Sequence, residues 1–204
     1  MIINTLQVSM FSTNCYLVGC SDTLEGVIID PGAEGKRILG EIKKLRLSIK
    51  AIINTHGHVD HVGANGKLKE ALQVPILLHR NDIDIYQRPG FGLGAVTGKQ
   101  PKPDRFIREG DTIDCGNLKL MVLDTPGHTG GSVSLYLKGA VFTGDTLFAG
   151  SIGRTDLAEG SFNTIMRSIR GRLMLLPAQT AVYPGHGPVS TIGEEARTNP
   201  FINR

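Results

Sequence analysis

The 204-residue sequence has few of the features that mark membrane, nucleic-acid-binding or disulfide-stabilised proteins. Its longest apolar runs, such as VPILL and LMLLP, are far shorter than the roughly 18 residues that a membrane-spanning helix needs. The 22 basic residues barely outnumber the 19 acidic ones, and no basic stretch with interleaved aromatic residues occurs. We therefore expect neither a membrane nor a nucleic-acid partner.

Cysteine is also scarce, with only Cys15, Cys20 and Cys115 and no CxxC pair. An odd number without pairing motifs is a poor disulfide framework, so these residues are expected to be small buried side chains in a reducing cytoplasm. The first twenty residues alternate apolar and polar side chains like a pair of strands. They lack the basic start and unbroken apolar core of a signal peptide. A cytoplasmic location is expected.

What the sequence does contain is a recurring unit, a short apolar run followed by a turn of Gly, Pro, Asp and His. The runs are GVIID, AIIN, LMVLD, AVFT and AVY. Helical spacing of apolar residues covers 35–45, 65–72 and 161–173, whereas residues 106–145 indicate consecutive strands. A mixed sheet, or two sheets with helices outside, fits this order better than a doubly wound parallel sheet.

No linker divides the chain, so a single domain over residues 1–204 is expected. The segment 88–104 carries four glycines and three prolines, and it is long for a connection inside a domain. Either a lid at the mouth of a site or a plain surface loop would explain it.

The richest motif is INTHGHVDH, Ile53 to His61. If His56 and His58 continue the strand AIIN, their side chains point to the same side, because extended residues alternate with period two. A helix starting near Asp60 would then present Asp60 and His61 in its first turn, beside the first pair. Imidazole and carboxylate ligands suit zinc, manganese or iron, and the cluster has no cysteine for a closed structural zinc site.

Three further candidate ligands follow later apolar runs: His128 in DTPGHTGGS, Asp145 in FTGDTLF and His186 in YPGHGP. We expect them to meet at one edge of a sheet, with glycine letting the backbone approach a metal. A polar turn residue satisfied by the backbone is the alternative for any one of them. His79, in ILLHRND, lacks this setting and is predicted to be a capping or surface histidine.

The segment THGHVDH matches the THxHxDH signature of the metallo-β-lactamase superfamily. The later elements fall in that superfamily's order, so the resemblance covers nearly the whole chain: PGHTGGS at 126–132, FTGDTLF at 142–148 and YPGHGP at 183–188. Within the superfamily, GSIGRTD at 150–156 with GHGPVSTIGEEARTNPF at 185–201 resembles the short type II glyoxalases, which are hydroxyacylglutathione hydrolases.

This resemblance implies an αββα sandwich of the α/β (α+β) class, with two mixed sheets flanked by helices and a dinuclear site at one edge. Two divalent metal ions are implied, zinc foremost, with iron or manganese possible. Asp60 and Asp145 are the implied catalytic residues, and Asp30 either orients ligands or forms a turn. The implied ligands are His56, His58 and His128 for the first metal, Asp60, His61 and His186 for the second, and Asp145 as the bridge.

The implied reaction is hydrolysis of a small-molecule thioester, such as S-lactoylglutathione. The longer glyoxalases carry an additional C-terminal helical substrate-binding region that is not expected here. GRTD stands where those enzymes have a lysine-containing segment. Arg154 either anchors a substrate carboxylate there or pairs with Asp156 to hold its own loop.

Other activities remain open at the sequence level. Persulfide dioxygenases share the GRTD element, and in them a single iron would be held by the equivalents of His56, His128 and Asp145. A hydrolase for another thiol carrier and a non-catalytic metal-binding protein are further alternatives.

Overall fold

The computed structural model describes residues 1–88 and 100–203, and two six-stranded sheets account for most of its strands. The first sheet contains β1 (Ile2–Val8), β2 (Thr13–Gly19), β3 (Glu25–Ile29), β4 (Ser48–Ile53), β5 (Ile76–His79) and β6 (Arg105–Ile107). The second contains β7 (Thr112–Cys115), β8 (Leu118–Asp124), β9 (Val133–Leu137), β10 (Ala140–Gly144), β13 (Ala181–Pro184) and β14 (Ser190–Thr191). A small hairpin pairs β11 (Leu147–Phe148) with β12 (Ser151–Ile152).

Both sheets are mixed. In the first, β1, β2 and β3 are antiparallel neighbours, whereas β3, β4, β5 and β6 run parallel. In the second, the order is β14-β13-β10-β9-β8-β7, and only β10 and β13 pair in parallel. The carboxyl ends of β8, β10 and β13 therefore point the same way, because β9 is antiparallel to both β8 and β10.

Six α-helices connect or cover the strands in the described residues. They are α1 (Gly35–Leu45), α2 (Val59–Val62), α3 (Asn65–Leu72), α4 (Ile83–Gln87), α5 (Phe162–Gly171) and α6 (Ile192–Thr198). The predicted helices at 35–45 and 65–72 are confirmed. The one predicted at 161–173 ends at Gly171 and gives way to a 3₁₀ turn, Leu173–Leu175. Ser161 starts α5, since its hydroxyl accepts a hydrogen bond from the Thr164 amide.

Three apolar layers hold the sandwich together. Strand β3 shows how one segment serves two of them: Val27 and Ile29 face the second sheet, and Ile28 faces α1 and α3. The third layer packs α5 and α6 onto the outer face of the second sheet, with Ile165 and Ile192 fully or almost fully buried. The predicted arrangement of two mixed sheets flanked by helices is confirmed.

The cysteines, the segment 88–104 and the helices can each be compared with what the sequence predicts. Cys15, Cys20 and Cys115 are free and buried, as predicted. Most of the segment 88–104 lies outside the described residues, so its role stays open. None of the helices in the described part of the chain is long and apolar enough to span a membrane.

The centre of the sandwich predicts a large stability effect. Phe142 is completely buried, packs edge-on against Tyr16 at 5.0 Å and stacks on Tyr183 at 5.1 Å between ring centroids. Phe142→Ala should lower the free energy of unfolding by about 3–5 kcal/mol, through lost burial and an unfilled cavity. Urea denaturation measures this loss. Met121→Ala, at an exposed strand position, should change it by less than about 0.5 kcal/mol. Equal effects at the two positions would contradict the described core.

Candidate metal centre

The seven predicted ligands all follow strands whose carboxyl ends lie at one edge of the sandwich. The motif THGHVDH follows β4, the middle strand of the parallel set β3, β4 and β5. From the second sheet, His128 follows β8, Asp145 follows β10 and His186 follows β13. Backbone contacts join the two sheets at this edge, since the Asn14 amide donates to the Gly185 carbonyl and the Val133 amide to the Thr55 carbonyl. The structure therefore brings all seven side chains together.

The route by which His56 and His58 come together differs from the prediction. Strand β4 ends at Ile53, so the two histidines do not lie on a continuing strand. Buried carboxylates take the backbone donors that a strand ladder would have used. Asp30 accepts hydrogen bonds from the Thr55 amide (2.8 Å) and hydroxyl (2.6 Å), and Asp82 accepts one from the Gly57 amide (2.7 Å). The turn that places the histidines is thus built by side chains from elsewhere.

The helix predicted to start near Asp60 is present in the structure. Helix α2 begins at Val59, with His58 in an extended conformation just before it, and it contains Asp60 and His61. The Asn54 side chain donates to the His61 carbonyl (3.1 Å) and fixes the short helix against the turn. A helix of one turn thereby presents a carboxylate and an imidazole side by side.

Three histidines form one group, referred to below as the three-histidine set: His56, His58 and His128. Their ring centroids lie 4.7–4.9 Å apart, and His128 Nε2 is 2.9 Å from His58 Nδ1. His56 is buried, and its Nε2 has no hydrogen-bond partner among the described residues. A buried imidazole nitrogen without a partner is costly unless a cation or proton fills the space that it faces.

Asp60, His61 and His186 form a second group. His61 Nε2 lies 3.2 Å from His186 Nε2, and Asp60 Oδ2 lies 3.3 Å from His186 Nε2 and 3.6 Å from His61 Nε2. Asp145 lies between the two groups. Its carboxylate is 3.4 Å from His61 Nε2, 3.6 Å from His186 Nε2 and 3.7 Å from His128 Nε2. Both groups have donor atoms close enough together to surround a metal ion.

The remaining ring nitrogens determine which atoms can bind a metal. Three of the histidines use Nδ1 for an oxygen acceptor: His61 for Asp30 (3.0 Å), His128 for the Arg154 carbonyl (2.9 Å) and His186 for the Phe11 carbonyl (3.1 Å). Their Nε2 atoms consequently carry lone pairs in the neutral rings. Two such atoms 3.2 Å apart, as in His61 and His186, repel each other unless a cation or a shared proton lies between them. The donor set thus fits a metal ion.

The pKa values of the candidate ligands are shifted in different directions across the site. Burial, together with the neighbouring histidines, lowers the pKa of His56 well below its usual value and that of His58 to about 4. Burial alone would lower the pKa of His61, but Asp145, Asp30 and Asp60 raise it to about 10. For Asp60, burial is outweighed by His186 and His61, which hold the pKa of its carboxyl below the usual range. His56 and His58 are therefore ready as neutral ligands, while at His61 a metal ion competes with a proton.

For Asp30 and for Arg154 the sequence left two roles open. Asp30 is buried in a left-handed backbone conformation (φ 51°) and contacts both the Thr55 turn and the His61 ring, and its role in orienting ligands stays a prediction. The Arg154 guanidinium makes two 2.8 Å hydrogen bonds to Asp156, and both side chains are exposed. The structure shows this pairing, and a substrate role for Arg154 stays a prediction.

Some contacts of the site carried no signal in the sequence. Asn14 holds the His186 loop by donating to the Pro184 and Gly187 carbonyls, and Asp82 binds the Gly57 amide. Both depend on backbone partners that are distant along the chain. His79 does cap the turn Arg80–Asp82, as predicted, by accepting from the Asn81 amide.

Comparison with known proteins agrees with this geometry. The family model described as metallo-beta-lactamase superfamily matches residues 8–186. The chain belongs to the metallo-β-lactamase superfamily. It is 38% identical to a Haemophilus influenzae protein named hydroxyacylglutathione hydrolase GloC, over 100% of this chain and 99% of the relative.

Solved structures of the superfamily are similar over the whole chain. BLEG-1, described as a B3 metallo-beta-lactamase, has a TM-score of 0.91 and 34% identity over 100% of both chains. ETHE1 from Myxococcus xanthus has a TM-score of 0.86 and 35% identity, over 100% of this chain and 86% of that one. The protein TTHA1623, in a di-iron-bound form, has a TM-score of 0.88 and 39% identity, over 97% of this chain and 99% of that one. Superfamily membership and the cluster of histidines and aspartates support a metal-dependent hydrolase.

The tight packing of the site predicts the effect of one added methyl group. A Cβ at Gly185 would lie 2.2 Å from Asp145 Oδ1 and 2.8 Å from His61 Cε1. Gly185→Ala should therefore displace the carboxylate and weaken metal binding by roughly 10–100-fold, measured by metal titration of the purified protein. Gly130→Ala is the control, because an added Cβ there meets nothing within 4 Å. If the two variants bound metal equally well, the described position of Asp145 would be wrong.

Proposed function

We propose that this superfamily member is a dinuclear metal-dependent thioester hydrolase that acts on hydroxyacylglutathione, with S-lactoylglutathione as its substrate. The observation that carries the proposal is the pair of adjacent groups, three histidines on one side and Asp60, His61 and His186 on the other, with Asp145 between them. The likeness to the protein named hydroxyacylglutathione hydrolase supports the substrate class.

In this proposal His56, His58 and His128 would hold one divalent cation, Asp60, His61 and His186 would hold the second, and Asp145, which lies between the two groups, would be a ligand shared by both. Zinc is the first choice, and the di-iron form of TTHA1623 supports iron as the alternative. When bound, such a pair supplies a Lewis acid for a carbonyl oxygen and an acidified water as nucleophile near neutral pH.

The chain's own residues would direct the attack. Asp60 stays a carboxylate at neutral pH, its side chain is partly exposed, and the Thr13 hydroxyl donates a hydrogen bond to its Oδ2 at 3.4 Å. It can accept a hydrogen bond from an attacking water and orient it. Asp30 and the Arg154 carbonyl keep His61 and His128 in fixed orientations.

The chemistry of a thioester suits this set of residues. None of the three buried cysteines belongs to the cluster, so the proposal assigns the attack to water. A thiol has a pKa of about 8.5, so a thiolate leaves without a strong general acid. No acid beyond the cluster is then required. We assign the whole reaction to a single domain over residues 1–204.

A hydrolysis assay with S-lactoylglutathione on protein of measured metal content tests the proposal. We expect two metal equivalents and loss of the thioester absorbance, with lactate as a product. His58→Ala removes one proposed ligand and should lower kcat/KM by a factor on the order of 10² or more.

Lys119→Ala is the control, because it truncates an exposed side chain that lies outside the cluster. Its metal content and kcat/KM should stay close to those of the wild type. Full activity of His58→Ala would refute the assignment of the three-histidine set. A β-lactam and a coenzyme A thioester as competing substrates test the chemical class, and preference for either would refute the glutathione substrate.

The persulfide dioxygenase alternative makes a different prediction for the same preparation. It requires one iron, held by His56, His128 and Asp145, and consumption of oxygen with glutathione persulfide. We expect no oxygen uptake above background in an oxygen-electrode measurement. A single iron equivalent together with stoichiometric uptake would replace the hydrolase by the dioxygenase.

A further inference from the structure

Asp82 is a completely buried carboxylate that links two loops distant in the sequence. It ends the 3₁₀ turn after β5. Its Oδ2 accepts hydrogen bonds from the Gly57 amide (2.7 Å) and the Thr129 hydroxyl (2.8 Å), and its Oδ1 accepts one from the Gly131 amide (2.6 Å). All three donors come from the ligand-bearing loops, and none comes from Asp82's own segment.

These two loops carry one of the two ligand groups. Gly57 lies between His56 and His58, and Thr129 directly follows His128. Each histidine of the three-histidine set is therefore directly adjacent in sequence to a residue that Asp82 binds. The second group is supported differently, by Asp30 behind His61 and by the Phe11 carbonyl behind His186.

Asp82 packs so closely against both loops that no side chain fits at Gly57 or Gly131. A Cβ at Gly57 would lie 2.8 Å from the Asp82 carbonyl oxygen and 2.9 Å from the Tyr86 amide nitrogen. A Cβ at Gly131 would lie 2.6 Å from Asp82 Oδ1. Gly57 in THGH and Gly131 in HTGG are thus required by the linking segment, so a displacement of Asp82 would disturb both loops.

We propose that Asp82 is a positioning residue that sets the spacing of His56 and His58 relative to His128 and so controls the affinity of that metal position selectively. This rests on the proposed dinuclear site. The physical reason is that a metal ion tolerates errors of only about 0.2 Å in its ligand distances, while the two loops share no other buried charged acceptor among the described contacts.

Asp82→Asn is the decisive variant, because it keeps the shape of the side chain but replaces one acceptor oxygen by an NH₂ group. That group would face an N–H or O–H donor of the ligand-bearing loops. Cobalt(II) titration followed by visible absorption, with metal analysis, reads the two positions separately. We expect one equivalent to weaken by roughly 10–100-fold, with altered cobalt bands, while the other keeps its wild-type affinity.

Glu195→Gln is the matched control. Glu195 is also a buried carboxylate with three donors, from the Gly150 amide, Ser190 and Asn199, but none of these donors belongs to the loops of the three-histidine set. Its cobalt titration should match the wild type. If Asp82→Asn fails to fold, Gly131→Ala takes its place, with Gly130→Ala as its control.

The outcomes separate the two proposals. Selective weakening of one equivalent in Asp82→Asn or Gly131→Ala, absent from the controls, supports the positioning role. Two equivalents with unchanged affinity, or two weakened alike, overturn it while leaving the dinuclear site intact. A wild-type protein that binds fewer than two equivalents overturns the proposed site itself, and this inference with it.

Discussion

The site depends on one constraint: the backbone of the histidine-bearing turn leaves the sheet and still has to satisfy its buried N–H groups. Strand β4 stops at Ile53, and beyond it two carboxylates replace the ladder. Asp30 follows β3 and binds Thr55, and Asp82 follows β5 and binds Gly57. Because β3 and β5 are the two parallel neighbours of β4, their carboxyl ends deliver an acceptor on either side of the turn. The parallel part of a mixed sheet is what makes this support possible.

The histidine rings are also held by hydrogen bonds to other parts of the chain. His61, His128 and His186 each have Nδ1 engaged by an oxygen from another part of the chain, so Nε2 is the atom that faces the cluster. Pre-orientation of this kind lowers the entropy lost on metal binding and selects one tautomer. It also concentrates unpaired nitrogens in a buried space, and His56 shows this most clearly. Such an arrangement is unfavourable unless a cation or a proton lies between the nitrogens.

The elements of the fold were largely predictable from local patterns. Helical spacing gave α1 and α3 with their ends, and the consecutive strands expected over 106–145 correspond to β6–β10. The candidate residues of the cluster could be found as well, because each stands in the same context of apolar run and turn. The end of β4 was only partly predictable, since the run AIIN was expected to be followed by a turn, yet His56 and His58 were expected to continue the strand. What ends the strand is competition from Asp30 and Asp82, residues 25 positions away on either side.

The glycines of the motifs show the same limit of local reasoning. The sequence indicated that glycine lets the backbone approach a metal, and near Gly185 an added Cβ would indeed meet Asp145 and His61. At Gly57 the obstacle is instead the backbone of Asp82 and Tyr86. A glycine beside a ligand can therefore serve the packing of the supporting segment rather than the metal. In our proposal Asp82 sets how closely the two loops approach, so the spacing of the ligands follows from the packing of this supporting segment.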